Sequence, residues 1–132
     1  MMDKQIKAVF FDVDGTLLSH TTGDVPESTR NVLTQLRRRG IKTVVATGRH
    51  MNAFSKLPLS NIQFDGYLTL NGQLLLDEDR KVYAGTPIDS GEMEVLSRIF
   101  SAKRIPFVLI GENDIYINYV DDTVIKTQAE SS

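Results

Sequence analysis

The sequence predicts an α/β fold in which a parallel sheet is followed by a separate α+β unit. Three observations carry that prediction. Through residue 70, apolar runs of strand length alternate with amphipathic helical stretches, the order that gives parallel pairing with helices on the sheet faces. Two polar turns, Asp12-Val13-Asp14-Gly15-Thr16 and Thr47-Gly48-Arg49, stand directly behind two of those runs. Past residue 72 the alternation gives way to short hairpin-like strands and one isolated helix.

Residues 6–11 read as the first strand, an apolar run suited to burial on both faces. Pro26 fits the first turn of a helix, with Asp24 or Val25 just outside it. Val32, Leu33 and Leu36 give that helix an apolar stripe, and Gly40 stops it. Residues 41–47 are rich in β-branched side chains and form the second strand. A short helix follows from His50 to Lys56, and residues 65–70 make a third buried strand. Two apolar runs then flank Asp77-Glu78-Asp79-Arg80, a hairpin with a charged tip. Asp89 and Glu92 pair as caps for a helix over 90–103, with Leu96, Ile99 and Phe100 on its apolar face. Residues 106–110 and 114–120 are two more strands around the turn 111–114, and the polar end 127–132 frays. The boundary falls at 84–88, giving a core over 1–85 and a second unit over 86–132.

Composition narrows the function. The chain has 132 residues, 41% of them hydrophobic and 24% charged, which fits a folded domain. A net charge of -2 gives no reason to expect nucleic acid or an acidic membrane as partner. The absence of cysteine excludes disulfides, thiolate metal sites and a cysteine nucleophile. No apolar run approaches a membrane span, and the start lacks the apolar region of a signal peptide, so a soluble cytoplasmic protein is expected. His20 and His50 stand alone and are assigned to the surface. Arg37, Arg38 and Arg39 fill a last helical turn, where cations complement the helix dipole.

The chemistry lies in the polar turns. Ligands of open parallel sheets bind beyond the carboxyl ends of the strands, where Asp12 and Asp14 fall. Their i, i+2 spacing aims both carboxylates to one side, and a hard cation such as Mg²⁺ would relieve their repulsion. Gly15 permits a turn that brings backbone amides near an anion.

The segment Asp12-Val13-Asp14-Gly15-Thr16 after an apolar strand resembles the first motif of the haloacid dehalogenase superfamily. The resemblance implies a Rossmann-like core with an inserted α+β cap, and covalent phosphoryl transfer. Asp12 would attack phosphorus. Asp14 would protonate the leaving oxygen and then activate water, for which it must hold its proton more readily than a free aspartate. Mg²⁺ would be bound by the Asp12 side chain and the Asp14 carbonyl. Thr47-Gly48-Arg49 matches the second motif, whose hydroxyl and amides bind the phosphoryl group; Arg49 either meets substrate or makes a salt bridge. Asn71-Gly72 resembles the Cof-type branch, which includes sugar phosphatases, and Asn71 either contacts substrate or only shapes the turn. Thr16 and the loop 17–24 fit the order of that branch. The implied substrate is a small phosphorylated metabolite.

The resemblance covers the first half of the family's layout. Its later motifs, a lysine and an acidic G-D-x-x-N-D segment, have no counterpart; Lys103, Lys126 and the stretch 111–116 belong to the second unit by position. The expectation is therefore a fragment or truncated product with little turnover, whose first strand leaves a sheet edge open to self-association. The alternative is a non-catalytic remnant that binds or assembles.

Overall fold

The computed structural model describes residues 5–130. It divides into two compact units, one ending at Thr86 and the other beginning at Pro87.

In the first unit, β1 (Ala8–Phe11), β2 (Lys42–Ala46), β3 (Gly66–Thr69), β4 (Leu74–Leu76) and β5 (Val82–Gly85) make one sheet in that order. β1, β2 and β3 run parallel, with Val9 opposite Thr43 and Val45 opposite Tyr67. β4 and β5 are added antiparallel, with a register shift at Leu75/Leu76. Helix α1 (Glu27–Arg38) connects β1 to β2, and α2 (Met51–Phe54) with a 3₁₀ turn at Pro58–Asn61 connects β2 to β3. This is the α/β core that the alternating pattern predicts, and it leaves the carboxyl ends of three parallel strands side by side.

Pro26 precedes α1, Glu27 lies in its first turn, and Arg37 and Arg38 lie in its last, as the dipole favours. The helix stops where the Gly40 and Ile41 amides donate back to the Arg37 and Leu36 carbonyls. In β2, Thr43 and Val45 are buried while their neighbours are not, the alternation of a pleated strand. Tyr67 and Phe54 pack edge to face at 5.5 Å, and Phe64 meets Tyr67 at 5.9 Å. These rings, with Val13, Leu17 and Val45, make the core.

Four features differ from the sequence reading. β1 is the edge strand that the expected open edge implies, but it is not buried on both faces: Phe10 is 59% exposed, because no described element covers that side chain. Arg80 is not merely a charged hairpin tip. It is half-buried, donates to the Ser60 carbonyl at 2.7 Å, and lies 5.6 Å from the Tyr67 ring centre. His50 is buried rather than on the surface, because its Nδ1 caps α2 by accepting from the Asn52 amide at 3.2 Å. The stretch read as a fraying end belongs to a helix as far as Glu130; Ser131 and Ser132 lie outside the described residues.

The second unit contains α3 (Ser90–Ala102), the antiparallel pair β6 (Val108–Ile110) and β7 (Ile115–Ile117), and α4 (Asp122–Glu130). Asp89 caps α3 by accepting from the Gly91 amide at 2.8 Å. Among the described residues of this unit only Asn118 is buried. Its amide group donates to the Phe100 and Ile105 carbonyls and accepts from the Phe107 and Tyr119 amides. Among the described residues, no helix is long and apolar enough to cross a membrane.

Candidate active site

The parallel strands deliver three turns to one end of the sheet. A cleft of about 410 Å³ opens there, lined by Asp12, Thr47, Gly48, Asn71 and Gly72, with Ala46 and Leu68 as its apolar floor. Residues behind β1, β2 and β3 thus meet in one place, as crevices beyond strand ends do.

Asp12 is exposed at the tip of β1, and its side chain makes no ion pair with the described residues. Its backbone carbonyl accepts from the Leu17 amide, which curls the chain away from the sheet. Thr47 is buried, and its hydroxyl oxygen accepts from the Arg49 amide at 3.1 Å. That bond leaves the hydroxyl hydrogen free to donate. The Thr47 amide is given to the Leu68 carbonyl, and among the described residues no acceptor pairs with the Gly48 amide. Asn71 sits in left-handed backbone geometry (φ 56°), and its amide donates to the Thr47 carbonyl at 3.2 Å. Gly48 lets Asn71 pack this closely: a Cβ there would stand 2.9 Å from Asn71 Oδ1, which would have to move.

Asp14 behaves differently from the sequence reading. Its carboxylate is not part of the cleft lining; it is gripped by Arg49, with Nε to Oδ2 and Nη2 to Oδ1 both at 2.9 Å. The Arg49 hydrogen bonds hold the Asp14 carboxyl below the usual carboxylate range against the opposing effect of burial, with the Arg49 and His20 charges adding to them. The same pair strengthens the protonated form of Arg49. An aspartate that must hold its proton more readily than a free one is therefore not what the structure contains. Between the two roles open to Arg49, the salt bridge is the one formed.

Gly15 and Thr16 also depart from expectation. Gly15 takes positive φ (76°), as the turn demands, but its amide donates to the Leu18 carbonyl and the Thr16 amide to the Val13 carbonyl. Those amides are committed and do not reach toward an anion. Thr16 instead lines a separate cavity of about 240 Å³ beside α1. His20 lies directly against Gly15, where any Cβ would collide with its imidazole. No local pattern in the sequence marks that contact, since it depends on how the loop 17–24 folds back. The helix behind Thr47 is a single turn, so it adds little dipole for an anion.

The Asp12 carboxylate at the cleft is a hard oxygen donor of the kind Mg²⁺ takes, the ion commonly filling its octahedron with water and phosphate oxygens. Among the described residues no group of three acidic or histidine side chains gathers at ligand spacing.

Comparisons with known proteins agree with this architecture. The family model for haloacid dehalogenase-like hydrolases matches residues 9–132. YkrA of Bacillus subtilis, which carries a provisional phosphatase name, is 28% identical over 116 residues, covering 87% of this chain and 44% of its own. BT1666 from Bacteroides thetaiotaomicron, described among phosphatases of the HAD superfamily, superposes with a TM-score of 0.81 and 26% identity over 98% of this chain and 48% of its own. BT4131, described as a sugar phosphatase of HAD subclass IIB, gives a TM-score of 0.70 and 31% identity over 94% of this chain and 48% of its own. The chain spans less than half the length of each of these relatives.

Proposed function

Because the chain belongs to the haloacid dehalogenase-like hydrolase family, we propose that its first unit carries the nucleophile half of a phosphatase site acting on small phosphorylated metabolites, with sugar phosphates the leading class. One observation carries this reading: Asp12, Thr47, Gly48 and Asn71 converge on one cleft from the ends of three strands. In the proposed reaction, a carboxylate oxygen of Asp12 bonds to phosphorus as the phosphorus–oxygen bond to the substrate breaks. The bonding pair leaves with the substrate oxygen, which takes up a proton. Water then attacks the aspartyl phosphate, releasing inorganic phosphate and restoring Asp12.

The chain's own groups divide the remaining work. In this reading the Thr47 hydroxyl and the Gly48 amide donate to the phosphoryl oxygens, and the Asn71 side chain meets the substrate. Asp14 serves the leaving oxygen only after Arg49 lets go, and an arriving phosphate dianion is the group that competes for that guanidinium. When bound by the Asp12 carboxylate and the Asp14 carbonyl, Mg²⁺ supplies charge neutralisation between nucleophile and phosphate. The second unit corresponds in this reading to the beginning of a cap, and the cytoplasm is the compartment where such substrates are met.

Turnover by this chain alone is proposed to be slight. No lysine lines the cleft among the described residues, and Asp14 is held ionised, so repulsion and protonation are both poorly served. Fluorine NMR with beryllofluoride tests the nucleophile separately from turnover. The expected result is a bound, Mg²⁺-dependent beryllofluoride signal that Asp12→Asn abolishes. A signal that survives Asp12→Asn, or none at all in the unaltered chain, refutes the assignment and favours a non-catalytic binding module.

A further inference from the structure

We propose that the first unit carries a second anion site, for a small phosphate-class oxyanion, at the opposite end of the sheet from Asp12. A cavity of about 280 Å³ opens between α1 and the segment 61–63. Arg30, Thr34, Arg37, Thr43, Asn61 and Gln63 give it a polar lining without a single carboxylate, and Leu33 with Ile62 forms an apolar floor. It shares no lining residue with the Asp12 cleft. Thr43 and Thr47, one in each cavity, are four strand residues apart, roughly 13 Å.

The two arginines stand seven positions apart on α1, which puts them on one helix face with their Cα atoms about 10.5 Å apart along the axis. Arg37 is steadied by a neutral amide rather than an acid, while Arg30 has both an amide and the Asp24 carboxylate as partners. Arg37 Nη2 donates to Gln63 Oε1 at 3.0 Å, and Arg30 Nη1 donates to Asn61 Oδ1 at 3.5 Å. Both amides are engaged through oxygen, which leaves their –NH₂ groups as donors. Asp65 is taken by Lys42 at 2.6 Å and by Thr43, whereas Asp24 pairs at 3.5 Å with Arg30, one of the site's own cations. Among the described residues, Arg37 has no carboxylate within salt-bridge distance. A guanidinium without an acid, beside a second guanidinium and two amide donors, is the donor set that recognises a planar or tetrahedral oxyanion. The run 37–39 thus splits: Arg38 and Arg39 suit a solvated helix end, while Arg37 faces a cavity.

Amide-resolved NMR of the 132-residue chain, titrated with inorganic phosphate, tests this. Glycerol 3-phosphate forms a second arm, and sodium chloride at matched ionic strength is the control. The expected result is saturable shifts at Thr34, Asn61 and Gln63 that weaken about tenfold in Arg37→Gln and in Asn61→Asp, and stay unchanged in Arg38→Gln. Tighter saturation by the ester assigns the site to a phosphorylated metabolite whose carbon part rests on the apolar floor; tighter saturation by phosphate assigns it to the free ion. Shifts that also appear with chloride, never saturate, or survive Arg37→Gln overturn the proposal. Responses at Gly48 and Asn71 report the first cleft separately, so failure there leaves this outcome intact.

Discussion

Replacing Arg49 by Met removes the guanidinium from Asp14 while keeping most of the side chain's apolar volume. The pair is bidentate but only part-shielded, its side chains 37% and 39% exposed, so solvent screening limits it to the upper end of the surface range, about 1 kcal/mol. For a unit of this size that corresponds to a fall in melting temperature of roughly 4–8 °C at pH 7. The sign with pH follows from the direction of the shift. Asp14 is held below its unfolded value, about 3.9, so the pair's stabilisation is complete above that value. It is lost as pH falls through the lower folded value. The unaltered chain and Arg49→Met should therefore differ in melting temperature at pH 7 and converge in strong acid. Carbon-detected NMR of the Asp14 carboxyl should show its titration moving upward in Arg49→Met. An Asp14 titration that does not move would refute the assignment of Arg49 as the cause, whatever the melting curves show.

Two further outcomes test the packing behind the site and the second unit. Gly48→Ala should push the Asn71 side chain aside, because its Oδ1 stands 2.9 Å from the new Cβ. The displaced atom ends a flexible side chain, so the stability cost should stay near 1 kcal/mol while the Asn71 –NH₂ resonances shift strongly; unmoved resonances would contradict the packing. Asn118→Ala should strip partners from two amides and two carbonyls at a cost of about 3 kcal/mol. Hydrogen exchange should then accelerate across 90–130 and leave β2 and β3 untouched; protection retained in the second unit would show that Asn118 is not what holds it.

The parts of this fold that were legible in the sequence are those fixed by local rules. The β-branched run of β2, the proline and arginine ends of α1, and the Asp89 cap each follow from a few neighbouring residues. What was hidden depends on long-range company. Arg80 looks like a solvated tip until the hairpin returns it over Tyr67 and Phe54. The apolar run of β1 reads as doubly buried because composition does not say whether other elements will cover both faces, and Phe10 is left open. In the site, Asp12 could be placed from a strand end, and Thr47 from its match to the second family motif. The commitment of Asp14 to Arg49 could not, since it joins residues 35 apart. Its effect reverses the expected direction of the Asp14 shift, because a neighbouring cation outweighs burial.

The cleft also explains where the first unit stores its strain. Leu70 and Asn71 are consecutive non-glycine residues at positive φ, 51° and 56°, a geometry that costs about 1–2 kcal/mol per residue. Two bonds hold them there: the Leu70 amide donates to the Arg49 carbonyl, and the Asn71 amide to the Thr47 carbonyl. Both acceptors lie in the turn behind β2, so the turn behind β3 is held by the same segment whose Thr47 and Gly48 line the cleft. The Arg49 side chain extends that brace to Asp14 behind β1. One four-residue segment, Thr47 to His50, therefore ties all three strand ends together and caps α2 as well. Strain at a site persists only where neighbours over-determine it. Here the over-determining segment also lines the cleft, so under the proposed function an anion at Thr47 and Gly48 would load the same bonds that hold Asn71 in place.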